Sequence, residues 1–164
     1  MMRQARLIIL ITMSHVFALT AVICLSGAGT MAADGLTTLR SSYGPKDTLG
    51  RLEAAVKSKG MTVFARIDHA AGATEVGLAL RPTEVLIFGN AKGGTPLMQS
   101  VQTIGIDLPL KALVWQDASG STWLSYNDPS WLAQRHGLGP EGNAAVAAMS
   151  AALEAVAKAA TTPP

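Results

Sequence analysis

Cysteine is almost missing from this chain. Cys24 is the only one, and it lies in an apolar run near the N-terminus. One cysteine makes no intrachain disulfide, and if the N-terminal segment is removed no thiolate nucleophile or thiolate metal site remains. Histidine is scarce too, with 3 in all: His15, His69 and His136. His15 belongs to the same N-terminal run. A catalytic zinc takes three protein ligands; two histidines without cysteine do not supply them, and no HExxH spacing is present. A mixed His/Asp metal site has no sequence signature. There is no GxSxG elbow for a hydrolase serine. No signature names a cofactor.

Charge is also sparse, at 15% Asp, Glu, Lys and Arg. Of 13 basic residues, Arg3 and Arg6 precede the N-terminal apolar run; without them 11 remain against 11 acids. The sequence pI of 8.9 therefore owes its basic side to the leader. No cluster of Lys or Arg marks a nucleic-acid-binding face.

What is present begins with that run, Leu7 to Leu25. A basic start, an apolar middle and the small residues of "SGAGTMAAD" form the pattern of a secretory signal. Cleavage is expected after Ala28 or Ala32. The alternative is an uncleaved anchor, since the run is long enough to span a bilayer. Ile23 before Cys24 argues against a lipid acceptor. Either way the rest of the chain is expected outside the cytoplasm, with residues 1–33 as signal and 34–164 as one domain.

Within that domain, Leu36–Tyr43 reads as a strand and Gly44–Gly60 as a helix with Leu49, Leu52 and Val56 on one face. "MTVFARID" alternates Met61, Val63, Ala65 and Ile67 against Thr62, Arg66 and Asp68, with Phe64 out of phase. A short helix or turn follows at "HAAGATEVG". "TEVLIFGN" predicts a strand covered on both faces. "GGTPLMQSV" predicts a helix capped by Thr95, with Pro96 at its first position. "LPLKALVWQD" and "STWLSYND" predict a hairpin around Ala118-Ser119-Gly120. "PSWLAQRHG" predicts a short helix. The alanine-rich C-terminal segment predicts a longer helix, with Val146, Met149, Leu153 and Val156 as its buried stripe. The order favours an α+β fold, a mainly antiparallel sheet of about five strands with helices on one face, over a doubly wound parallel sheet.

The strings "IDHAA", "VLIFGNAKGGTPLMQ", "IGIDLPLKALVWQD" and "WLSYNDPSWLAQRHGL" resemble the family called domain of unknown function 302, from about Leu36 to Leu138. The resemblance implies a compact α+β domain similar to the TATA-binding-protein-type fold, with a long helix across one sheet. It also implies a homodimer. It implies no activity.

Two stretches carry candidate ligand chemistry. In "FARIDHAAG", Asp68 and His69 offer a carboxylate beside an imidazole, although neighbours on a strand face apart; the structural alternative makes Asp68 a helix cap. In "FGNAKGGTP", Asn90, Lys92, Gly93, Gly94 and Thr95 form a Gly-rich approach to a helix, where backbone amides and a lysine favour an anion. It is not a nucleotide P-loop, because Lys92 precedes the glycines. The alternative there is plain turn chemistry. Phe88 to Thr95 and His69 would mark one cleft. This leads to the expectation of a small-ligand-binding or interaction domain. The alternatives are an enzyme with His69 as acid/base, assisted by Tyr126 or Asp128, and a dimeric structural protein without ligand. Asp128 otherwise reads as a helix N-cap and His136 as a helix C-terminal residue. Trp115, Trp123 and Trp131, with Met61 and Met98, read as core or as the lining of an apolar pocket.

Overall fold

The computed structural model describes residues 35–163. The N-terminal apolar run and both expected cleavage positions lie outside the described residues. The elements run β1 (Leu36–Arg40), α1 (Pro45–Ser58), β2 (Thr62–Asp68), α2 (His69–Glu75), β3 (Thr83–Gly89), α3 (Ala91–Ser100), β4 (Leu110–Gln116), β5 (Thr122–Asn127), α4 (Pro129–Arg135) and α5 (Asn143–Thr161). Short 3-10 turns at Gln102–Ile106 and Pro140–Gly142 follow α3 and precede α5. The five strands form one sheet in the order β1-β5-β4-β3-β2, and every pairing is antiparallel. The fold is the expected α+β type.

Side chains alternate across a strand, and this alternation decides where the core sits. Leu86 and Phe88 of β3, Leu110, Ala112 and Val114 of β4, and Leu124 and Tyr126 of β5 all point to one face. There they meet Leu49, Leu52 and Val56 of α1 and Leu153, Val156, Ala157 and Ala160 of α5. The helical spacing in α1 was legible because these apolar positions recur at three- and four-residue steps. Pro45 starts that helix, where its missing N–H costs no bond. Gly60 ends it in the left-handed region, at φ +71, which glycine enters without a Cβ clash. A satellite core of Leu97, Ile104 and Val146 lies under α3. Leu108 and Met149 pack against both cores.

Several local expectations change. β1 ends at Arg40 rather than Tyr43. β2 is not a single alternating face: its register slips between Val63 and Ala65, a β-bulge at the out-of-phase Phe64. Val63 therefore packs toward the core, while Ile67 turns away from it and is 42% exposed. β3 is covered fully on one face only; Val85 and Ile87 on the other are half-buried. The central strand is β4.

The β4–β5 hairpin turns on Asp117–Ser121. Gly120 there has φ +82. The Asp117 carboxylate accepts from Ser119 N and Oγ at 2.8 and 2.7 Å, from Ser121 N at 3.0 Å, and from the Trp123 indole at 2.7 Å. The Ser119 hydroxyl above all, then the indole, hold its pKa down at about 2. An unfolded aspartate titrates at about 3.9. Because folding lowers the pKa, the stabilisation is complete above about pH 4 and is lost as pH falls toward 2. Trp123 emission is thus expected to shift over that acid interval, ahead of global unfolding, and to lose the shift in Asp117→Asn. An identical acid profile in the variant would refute this.

Candidate functional site

The Gly-rich segment is helix, not loop. Helix α3 begins at Ala91, and its N-cap is Asn90, whose side chain accepts from Gly93 N at 2.7 Å. Gly94 N closes the first helical bond onto Asn90 O at 3.2 Å. Thr95 is therefore not the cap, and Pro96 lies inside the helix rather than at its first position. Asn90 outcompeted Thr95 because its side-chain oxygen reaches an amide three residues on, the usual reach of an Asx cap. Without an N–H, Pro96 leaves the Lys92 carbonyl without its usual helical donor.

The start of α3 forms one end of a trough with a volume of about 520 Å³. Its walls are apolar. Met61 directly precedes β2 and Phe64 lies within it; Met98 comes from α3, Leu108 and Pro109 from the segment before β4, and Met149 from α5. Ala145, Ala148 and Ala152 of α5 make a low wall that leaves the space open. The trough is the seam between the two cores, since Leu108 and Met149 belong to the margin of each. Phe64, 58% exposed at the bulge, reaches its rim. The polar side chains that line it are Asn90, engaged as the cap, and Lys92. Among the described residues Lys92 joins no ion pair.

Of the expected cleft residues, Asn90, Lys92, Gly93 and Gly94 line this trough, whereas Thr95 does not. Phe88 is fully buried in the main core. Asp68 and His69 are at the other end of the sheet: Asp68 pairs with Glu84, while Gly89 pairs with Thr62. Five residue steps along the strand separate Glu84 from Gly89, about 17 Å at 3.3–3.4 Å per residue. The two stretches do not share a cleft. Sequence proximity to strand ends did not reveal which end, because an antiparallel hairpin sends the start of β2 and the end of β3 to the same edge.

Asp68 caps α2, accepting from Ala71 N at 2.9 Å. His69 is the first residue of that seven-residue helix and is exposed. Asp68→Ala is therefore expected to cost about 1 kcal/mol, the usual loss for a cap. His69→Ala should stay within about 0.5 kcal/mol. Urea unfolding of both variants checks the contrast; equal losses would tie the two side chains into one unit after all.

Nor do the enzymatic partners assemble. Tyr126 stands on β5, level with Ala112 of β4 and so with Leu86 of β3. β5 and β2 are three strand spacings apart, about 14 Å at 4.7–4.9 Å each. Tyr126 is 8% exposed within the core. Burial raises its phenol pKa, against a lowering bond from Thr37. Asp128 caps α4, accepting from Ser130 N at 2.6 Å.

Among the described residues, the histidine with a carboxylate partner is His136. It ends α4 as its C-cap, the position read for it from the helix dipole. Its Nε2 lies 2.7 Å from Asp107 Oδ2, and its Nδ1 lies 3.4 Å from Thr103 Oγ1. Arg135 Nη1 donates to Asp107 Oδ1 at 3.4 Å. These residues are 28 and 29 positions apart, and no local pattern announces the pair. The tryptophans do not gather either. Trp115 and Trp123 stack at 6.1 Å on the sheet face away from α1 and α5, while Trp131 lies beside Gly35.

An α+β domain with one five-stranded antiparallel sheet and a seam between two cores is the class defined by this geometry. The chain belongs to the family described as "Domain of unknown function DUF302", whose model matches residues 37–156. A solved structure, "Crystal structure of uncharacterized conserved protein DUF302 from Bacillus stearothermophilus", superimposes with a TM-score of 0.70 at 24% identity, over 78% of this chain and 99% of that one; it supports the fold alone. Two curated relatives are 52% identical over 124 residues, 76% of this chain. They are "Fluoride-specific ion channel FluC 1" of Brucella suis biovar 1 (strain 1330) and "Fluoride-specific ion channel FluC 2" of Brucella melitensis biotype 1. The match takes in 49% and 46% of those proteins, so the chain spans about half the length of the curated relatives it matches.

Proposed function

We propose that this is an exported binding domain that holds a small, largely apolar ligand in the trough between α3, α5 and the β2–β3 edge. One observation carries the reading: the trough of about 520 Å³ lined by Met, Phe, Leu and Ala side chains. That volume falls in the 300–1,000 Å³ range of small-molecule sites. Methionine side chains adapt to varied shapes. Nile red, a neutral apolar dye, tests it. One equivalent is expected to bind the wild type, and Ala148→Trp, which fills the low wall from the solvent side, is expected to abolish binding without loss of fold. Unchanged dye binding in that variant would remove the trough as the site. Export rests on the basic–apolar–small pattern of residues 1–33, and a periplasmic reporter fused after Ala33 tests it.

A second reading, a homodimer, rests on the sheet face opposite α1 and α5. Val85, Ile87, Leu113, Trp115 and Trp123 share that face. Both indole N–H groups are already used inside the fold, by Ser125 Oγ at 2.9 Å and Asp117 Oδ2 at 2.7 Å. The face thus offers an apolar centre, flanked by the exposed Lys111 and Arg40, for a second sheet to cover. Sedimentation equilibrium is expected to give a dimer that Leu113→Lys splits; a monomeric wild type sinks it.

The channel name of the Brucella relatives is not extended to this chain. The described stretch Pro140–Thr161, the 3-10 turn and α5 together, has the length and mean hydropathy, 1.3, to cross a membrane. Its face at Leu153, Val156, Ala157 and Ala160 is committed to the sheet.

A further inference from the structure

We propose that the occupant of the trough is an amphiphile with one anionic head, of the class of medium-chain carboxylates. The inference rests on the trough reading above and adds the head group. Three observations point the same way. First, the trough lining includes one ionisable side chain, Lys92, and no carboxylate. Second, Lys92 has no ion-pair partner among the described residues, so its charge is available to a ligand. Third, the remaining polar lining side chain, Asn90, has its oxygen engaged by Gly93 N at 2.7 Å, which leaves only its amide N–H groups, and these donate. A neutral polar head finds few partners there, and a cationic head meets Lys92 as a like charge.

The shape divides the ligand accordingly. Lys92 follows the N-cap of α3 and stands at one end of the lining. Met61, Met98 and Met149 line the body, three flexible thioether side chains that follow a chain of varying bend. The alanines of α5 leave room beside them, and Leu108 and Pro109 also line the space. An apolar tail therefore lies along the seam while the head meets the lysine. A charge-assisted bond is roughly twice as strong as a neutral one.

Titration calorimetry of the full chain with decanoate, decan-1-ol and decyltrimethylammonium reads the head preference directly. Decanoate is expected to bind roughly tenfold tighter than decan-1-ol, as a charge-assisted contact implies, with the cationic probe weakest. Lys92→Met should remove the tenfold preference, so that decanoate binds no tighter than decan-1-ol. If decan-1-ol binds wild type as tightly as decanoate, the anionic-head inference is wrong while the trough stands. If none of the three binds and Nile red is also indifferent to Ala148→Trp, the trough reading itself is wrong. The same acidic chemistry also occurs on lipids. Binding to phosphatidylglycerol vesicles without binding to free decanoate would overturn the inference in favour of a membrane-docking surface.

Discussion

Phe88→Ala destabilises the domain by about 3–5 kcal/mol, the range for removing a buried aromatic ring from a core. The ring is 0% exposed. It belongs to the cluster that joins α1, α5 and the sheet. Three features place the loss at the upper end. β3 is an interior strand between β2 and β4, so its backbone is held on both sides and cannot collapse into the void. Phe88 is opposite Val63 across β2 and Leu110 across β4, so both partners lose contact at once. Gly89 follows, with no side chain to swing inward. Guanidinium unfolding monitored by circular dichroism measures the change; a loss under about 1 kcal/mol would place Phe88 in an adaptable cleft lining, as first read from the sequence, rather than in a rigid core.

Asp107→Ala is expected to cost about 1–3 kcal/mol, the penalty for leaving a buried polar partner unpaired. Asp107 and His136 side chains are 14% and 9% exposed, with 2.7 Å between Oδ2 and Nε2. Water reaches the abandoned imidazole poorly, which is why this pair outweighs the exposed Lys57–Glu53 pair, whose loss should be small. The bond also ties the 3-10 turn Gln102–Ile106 to the end of α4. Asp107 directly precedes Leu108 and Pro109, two walls of the trough. Loosening it is expected to weaken Nile red binding as well as stability. Asp107→Asn, which keeps an acceptor, should recover part of both. If Asp107→Ala unfolds within about 0.5 kcal/mol of wild type, the pair is only a surface contact.

These two residues show what was readable and what was not. The α1 stripe of Leu49, Leu52 and Val56 and the α5 stripe of Val146, Leu153 and Val156 were legible, because helical periodicity is a local property of the chain. So were the Asp68 and Asp128 caps, which bond amides two or three residues away. The β4–β5 hairpin was legible from its turn residues. Thr95 was misplaced as a cap because two acceptable caps stood five residues apart, and Asn90, whose side-chain oxygen accepts from Gly93 N, took the role. The bulge at Phe64 left a visible trace, one apolar residue out of phase, but its consequence for the faces of β2 needed the partner strand.

By itself the sequence determined the fold class, the helix faces and the hairpin. Each depends on neighbours within a turn or a pleat. Only the tertiary structure decided that His69 stands about 17 Å along the strand from the Gly-rich helix start, at roughly 3.3 Å per residue. It likewise decided that His136 meets Asp107 and that Met61 just before β2, Met98 of α3 and Met149 of α5 line one trough. Those facts rest on strand register and helix packing. They join residues tens of positions apart, which no local pattern records.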